Sequence, residues 1–373
     1  KNRKSKNKRR IKKDQIKNSS AWKDITKANT EFKHLYVELA KTINKFMNII
    51  ENHELEDEDG IIFDFKKYID RLKEYYKNFE FIVNNDSEDY VYWFSVTPNK
   101  NNIKLFATPF DVSEDLKENL LSKLNKMVFT SATLAVEGKF DYFMKSMGFD
   151  KNDKQLSKHL ISSPFDYMNQ MRVFIPSDTI DPNSIDFIAE TEVFIDKLIR
   201  KTKGHCFLLF TSYSMLNYLY NKLEKYYNKK DYTLLKQGDY SRNEMIEIFR
   251  NAKNPILFGT DSFWEGVDVQ GEQLKSVIIV KLPFKVPDDP VTEAIIEHIR
   301  ENKGNPFNEF QVPQAVIKFK QGIGRLIRSK SDTGIITILD NRVITKYYGR
   351  KFLNSLPKTN IIVDSKENII EII

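Results

Sequence analysis

A chain of 373 residues, 40% hydrophobic and 13% aromatic, is long enough for two domains with cores of their own. No run of about twenty apolar residues occurs, which excludes a helical membrane span, and a single cysteine, Cys206, excludes a disulfide framework and suits a reducing compartment. The net charge of +7 is local: nine of the 59 Lys and Arg lie in residues 1 to 13, which hold no acid, so the other 50 face 52 Asp and Glu.

Residues 1–20 read as a basic, flexible lead, a solvated run with phosphate contact as a lesser role. The chain begins at Lys1 rather than Met and has no signal-peptide pattern, so a longer, cytoplasmic protein is expected. From Thr30, the residues Phe32, Leu35, Leu39, Ile43, Phe46 and Ile50 recur every three or four positions, which predicts a helix. The acidic stretch 51–60 breaks the pattern as a loop, and Phe65, Tyr68, Leu72, Tyr75 and Phe79 predict a second helix. The two form a helical hairpin within 21–87, with the aromatic stripes as its core.

Tyr90–Val96 and Ile103–Ala107 predict strands around a Pro- and Asn-containing turn. A helix is expected from Ser113, as N-cap, to Lys126, followed by a short strand Lys126–Thr130 that delivers Ser131 and Thr133 at its end. Small hydroxyl side chains there suit a site that senses phosphate occupancy, and equally suit the cap of a following helix. Residues 135–180 lack periodicity and read as a connection. From Ile185, helices alternate with apolar strands at 206–210, 232–235, 255–259, 276–281 and 334–340. That alternation implies an α/β fold, a parallel sheet with helices on both faces.

In such a domain ligands sit beyond the carboxyl ends of the strands, where Thr211, Ser212, Tyr213, Gly259, Thr260 and Asp340 fall. The hydroxyls and backbone N–H groups of Thr211, Ser212, Gly259 and Thr260 suit sugar–phosphate oxygens, although such residues also simply terminate strands. Phe263 and Trp264 read as packing for the loop rather than as stacking surfaces. Gln321, Gly324, Arg325 and Arg328 form Q-x-x-G-R-x-x-R. A helix running from Gln321 to Arg328 would present Gln321 and both arginines on one face, and two guanidinium forks suit a polyphosphate. Gly322 and Gly324 allow the backbone to approach a ligand closely. The five His are scattered, and no metal-ligand spacing occurs.

The stretch Gln321–Arg342, QGIGRLIRSKSDTGIITILDNR, resembles the sixth motif of superfamily 2 helicases in the form found in the DinG branch of the XPD-like group. FTSATL at 129–134, LFTSY at 209–213 and GTDSFWEGVD at 259–268 resemble the third, fourth and fifth motifs, in order. LPFKVPDD at 282–289 and Pro313-Gln314-Ala315 are further DinG-like details, so the resemblance covers about 88–373. It implies a RecA-like second motor domain at 181–373, the end of a first motor domain and a connection at 88–180, and an arch-like helical insertion at 21–87.

The resemblance also implies roles for individual residues. Arg325, Arg328 and Gln321 match catalytic positions that reach the ATP phosphates, where guanidiniums offset charge developing in phosphoryl transfer. Glu265, Gly266, Asp268 and Gly324 match the lining of the nucleotide side of the cleft. Ser131, Thr133, Thr211, Ser212, Tyr213, Gly259 and Thr260 match the side that meets nucleic acid. ATP and Mg2+ are the implied cofactors. The sequence contains neither a G-x-x-x-x-G-K-[ST] phosphate loop nor a D-E-A-H-like strand end. In relatives both precede the insertion, so the missing N-terminal part of the same protein is expected to supply them. It would also supply any ligands of an iron–sulfur cluster, since one cysteine cannot hold one.

The implied whole is a DNA helicase-like protein that hydrolyses ATP and acts on single-stranded or branched DNA in repair or replication, with 5′-to-3′ polarity and no membrane association. This chain would be its C-terminal half, inactive alone. Some Gram-positive relatives carry an N-terminal 3′-to-5′ exonuclease domain. The alternative is therefore a nucleic-acid-binding accessory region of such an exonuclease, with a degenerate motor.

Overall fold

Cys206 to Phe210 is apolar at every position, which a strand tolerates only when both of its faces are covered. A computed structural model describes residues 7–52, 61–97, 102–150, 155–227, 231–265, 273–285, 287 and 289–373, and covers that strand on both faces. The chain divides into two units, Lys1–Val112 with Val286–Asn302, and Ser113–Lys285 with Lys303–Ile373.

The first unit is a helical hairpin and a small sheet. Its helices are Ser20–Asn52 and Ile61–Asn84. Tyr36 stacks on Tyr76 at 4.1 Å between ring centroids, Phe32 meets Phe79 edge-on, and Phe46 meets Phe65 edge-on, so the aromatic stripes zip the two helices together. The first helix begins ten residues before the expected Thr30, because Ser19 caps it by accepting the Trp22 N–H at 3.3 Å. Most of the expected loop at 51–60 lies outside the described residues.

Strand β1 (Lys8–Arg10) pairs antiparallel with β2 (Tyr90–Thr97), which pairs antiparallel with β3 (Asn102–Pro109). The lead expected to be flexible therefore includes an edge strand. Its cations are engaged locally: Lys8 lies over the Trp93 ring and 3.1 Å from Asp289, and Arg10 and Lys12 both bind Glu297. Glu297 belongs to the helix Pro290–Glu301, whose Ala294 packs with Val91 and Trp93. Burial raises the Glu297 pKa, but the hydrogen bonds from Lys12 and Arg10 outweigh it and leave the carboxyl below its ordinary range.

The second unit contains seven parallel strands in the order β10-β4-β9-β8-β5-β7-β6. They are β4 (Met171–Pro176), β5 (Cys206–Leu209), β6 (Thr233–Lys236), β7 (Pro255–Gly259), β8 (Ser276–Ile279), β9 (Gly334–Ile338) and β10 (Asn360–Asp364). Alternate residues enter opposite cores. Phe207 and Leu209 join Phe249, Trp264 and Phe319 on one face, while Cys206, Leu208 and Phe210 join Leu198, Leu219 and Ile369 on the other. The result is the expected RecA-like α/β layering. Cys206 is buried, and burial pushes its thiol pKa up, so it serves as core.

Three readings change. Met171–Pro176, expected to be part of a connection, is an interior strand between β10 and β9, and Asn360–Asp364 adds an edge strand. The helix expected at Ser113–Lys126 stops at Asn119 and is followed by a 3₁₀ turn at Leu121–Lys123. The strand expected at Lys126–Thr130 does not form: Val128 is 88% exposed, and no described strand pairs with this segment. A lone extended segment has no ladder to stabilise it.

Glu297→Gln should weaken the hold on β1. Faster amide exchange at Arg10 and Trp93, with unchanged exchange in the seven-stranded sheet, is the expected outcome; unchanged exchange at both would show that the carboxylate does not hold the strand.

Candidate functional site

The chain runs from β5 outward to β6 and β7 on one side, then returns to build β8 and β9 on the other. The order therefore reverses between β5 and β8, the place where open parallel sheets leave a crevice at their carboxyl ends. The sequence-predicted residues can be located relative to that rim.

Beyond β5, Thr211 and Ser212 are half-buried and Tyr213 is exposed. Ser212 Oγ accepts the Met215 N–H at 3.4 Å, so it caps the helix Tyr213–Tyr227. Beyond β7, Gly259 is buried and Thr260 is only 3% exposed. A Cβ on Gly259 would come within 2.5 Å of the Phe263 Cβ, so glycine is needed there for close packing of the loop. Thr260 leads into one helical turn, Asp261–Trp264.

Both ends of that turn are held. At its start, the Thr260 N–H and Oγ1 donate to Gln237 Oε1 at 2.5 and 2.9 Å. At its end, Trp264 is fully buried, its Nε1 donates to the Phe210 carbonyl at 2.9 Å, and its own carbonyl accepts from Arg325 Nη2 at 2.9 Å. Phe263 and Trp264 are thus packing residues, as expected from the sequence. Glu265 is exposed, and Gly266 and Asp268 lie outside the described residues.

The helix Val312–Ile323 carries Gln321 but ends before the arginines, with Gly324 at its C-cap. The expected continuous helix from Gln321 to Arg328 is therefore corrected. The Gly324 N–H closes onto the Lys320 carbonyl, and the chain leaves the helical path in a turn. Arg325 is 7% exposed and faces the Trp264 carbonyl, whereas Arg328 is exposed. The Arg328 N–H donates to Asp332 Oδ2 at 2.7 Å. Gln321 Oε1 is buried without a hydrogen-bond partner among the described residues. The close approach at Gly322 is to the protein itself: a Cβ there would lie 2.7 Å from Trp264 Cε3.

Ser131 and Thr133 bond to each other, with Ser131 Oγ 3.1 Å from Thr133 Oγ1 and accepting the Thr133 N–H. This is a local hydroxyl turn; it caps no helix, since turns follow it and the next described helix begins at Asp141. Just after it, the Ala135 carbonyl accepts Lys320 Nζ at 2.9 Å, one residue before Gln321. Burial holds the Lys320 pKa below its ordinary value. Sequence reasoning passed over Lys320, Gln237 and Arg342. Arg342 grips the fully buried Asp340 with two nitrogens, and Asp340 Oδ2 accepts the Leu282 N–H at 2.8 Å. Burial, then the Arg342 charge, lowers the pKa of neighbouring Lys281, with Asp340 and Asp181 opposing. The turn signal Gln237-Gly238 after an apolar run could have drawn attention to Gln237.

Among the described residues, no group of His, Cys, Asp and Glu is placed to hold a metal ion. The Asp261–Trp264 turn has the exposed Ser262 hydroxyl near one end and the Arg325 guanidinium at the other.

A family model for the helicase C-terminal domain matches residues 195–359. The ATP-dependent DNA helicase YoaA of Haemophilus influenzae is 38% identical over 272 residues, 73% of this chain and 41% of that protein. The 3′-5′ exonuclease DinG of Bacillus subtilis is 31% identical over 351 residues, 91% of this chain and 38% of that protein. The chain thus spans about two fifths of the length of these relatives. A solved XPD helicase structure overlays with a TM-score of 0.52 at 16% identity, over 74% of this chain and 48% of that one, a likeness of fold.

Gly322→Ala should destabilise the second unit by about 1–3 kcal/mol, because the added methyl meets a buried indole that has no room to move. A urea midpoint equal to that of the unaltered chain would show that Trp264 is loosely seated.

Proposed function

Because the chain belongs to the DinG-type branch of the XPD-like helicases, we propose that it forms the second motor domain and a helical insertion of an ATP-dependent enzyme acting on single-stranded or branched DNA. The observation that carries the reading is the double anchoring of the Asp261–Trp264 turn. Thr260, at the end this reading gives to nucleic acid, and Trp264, bonded to Arg325 at the end it gives to nucleotide, bracket one helical turn that is hydrogen-bonded at both ends. A ligand that moves Arg325 therefore acts on the surface that meets the strand.

In this reading Arg325 and Arg328 face the phosphates of ATP, and Gln321 Oε1 accepts a hydrogen bond at the same site. Glu265, Gly266, Asp268 and Gly324 line the nucleotide side. Thr211, Ser212, Tyr213, Gly259 and Thr260 line the strand side, with Ser131 and Thr133 reporting from the segment before Ala135. Neither a G-x-x-x-x-G-K-[ST] phosphate loop nor a D-E-A-H-like strand end for magnesium occurs in this sequence. A second reading, in which the motor is an accessory to an exonuclease, is supported by the match to the Bacillus subtilis relative over 91% of the chain.

The chain alone should bind oligothymidylate weakly and without regard to sequence, with affinity falling as salt rises, and should hydrolyse ATP only at background. DNA-stimulated turnover by the chain alone would overturn the reading that it lacks the phosphate loop needed for turnover. In the protein that supplies the phosphate loop, Arg325→Ala should cut turnover by a thousandfold or so. It should also lower stability by about 1–3 kcal/mol, because the buried Trp264 carbonyl loses its donor. Arg325→Lys should also be impaired, since an ammonium cannot present a planar fork. Unchanged turnover per folded molecule would reduce Arg325 to a brace. Wild-type turnover at background in that longer protein would favour the exonuclease-accessory reading.

A further inference from the structure

Gln237 directly follows β6, where its own N–H donates to the Phe258 carbonyl at 3.0 Å. Gly238 then turns the chain at a φ of +108°, a conformation that favours glycine. The side chain reaches four groups from two other strand ends. Oε1 accepts the Thr260 N–H and Oγ1, and Nε2 donates to Tyr213 OH at 2.8 Å and to Ser262 Oγ at 2.9 Å.

The direction of these bonds follows from chemistry. A backbone N–H can only donate, so the amide oxygen must face Thr260. The amide nitrogen must then face Tyr213 and Ser262, and it can only donate. Both hydroxyls therefore accept from Gln237, which leaves each hydroxyl hydrogen directed away from the amide. Both residues are exposed, Tyr213 to 53%. Thr260 behaves in the opposite way: it is 3% exposed, and its hydroxyl hydrogen is already committed to Gln237.

We propose that Gln237 is a positioning residue that turns the hydroxyl hydrogens of Tyr213 and Ser262 outward, as donors to the phosphodiester oxygens of a single strand. The inference rests on the nucleic-acid reading above and refines it. Ser262 enters the binding surface, and Thr260 is a support whose hydroxyl does not reach the strand. The recognition is indifferent to sequence, because phosphate oxygens carry no base information.

The test is the affinity of the chain for fluorescein-labelled oligothymidylate, read by anisotropy, for the unaltered protein, Gln237→Met, the pair Tyr213→Phe with Ser262→Ala, and all three changes together. Gln237→Met should weaken binding about tenfold, the scale of one hydrogen bond to a charged group. The hydroxyl pair should lose a similar factor, and the triple variant should lose little more, because Gln237 acts through those hydroxyls. If Gln237→Met does not fold, Gln237→Glu keeps the acceptor for the Thr260 N–H. Its carboxylate draws both hydroxyl hydrogens inward, and the same loss is expected. Additive losses would overturn the proposal, as would a lowered thermal midpoint with full affinity. Absence of binding by the unaltered chain would overturn the nucleic-acid reading itself and the proposal with it.

Discussion

Trp264 seated against Gly322 is the contact on which the site depends. The indole is fully buried, its nitrogen is spent on the Phe210 carbonyl, and the glycine leaves no side chain in its way. With the indole fixed, its carbonyl is fixed too, and Arg325 is drawn out of solvent to meet it. A guanidinium buried in this way has lost rotamer freedom, so its position is set by the fold. The rest of the rim is arranged around that turn: β5 supplies the carbonyl, the helix Val312–Ile323 supplies the glycine, and β6 supplies the glutamine that holds the other end.

The first unit draws on the same chain in a different way. The excursion Val286–Asn302 leaves the second unit after Lys285 and re-enters at Lys303, and its helix gives the small sheet both an apolar partner in Ala294 and an anionic one in Glu297. The basic lead thereby has Lys8, Arg10 and Lys12 paired with carboxylates of that excursion. Its positive charge, conspicuous in the sequence, is partly neutralised by carboxylates more than 270 positions away, such as Asp289 for Lys8. Local charge in a sequence is thus a poor guide to field at a surface when its partners are distant in the chain.

What could be read from the sequence was whatever leaves a period or a motif. The hairpin was legible because aromatic residues recur at helical spacing, and β5, β7 and β9 were legible because a strand covered on both faces must be apolar throughout. Met171–Pro176 was missed because Arg172 interrupts a short run, and Asn360–Asp364 because an edge strand is half exposed and carries little pattern. The stop at Ile323 was written in Gly322 and Gly324, yet the appeal of one arginine face hid it. Gln237 left only a weak mark, a Gln-Gly turn after an apolar run, and its role shows only when Tyr213, Thr260 and Ser262 are brought around it. Trp264 was legible as loop packing, but its seat against Gly322 was not, because the sequence pointed that glycine at a ligand.

If the Asp261–Trp264 turn joins the two sides of the site, a ligand at one end must be felt at the other. Hydrogen exchange of the chain with and without oligothymidylate measures this directly. The Phe263 N–H, bonded to the Thr260 carbonyl, and the Arg325 and Leu326 N–H groups, bonded to the Gly322 and Ile323 carbonyls, are the reporters. The account requires bound strand to slow exchange at all three. Slower exchange at Phe263 with Arg325 and Leu326 unchanged would contradict it, and would leave the two sides of the site as neighbours without a link.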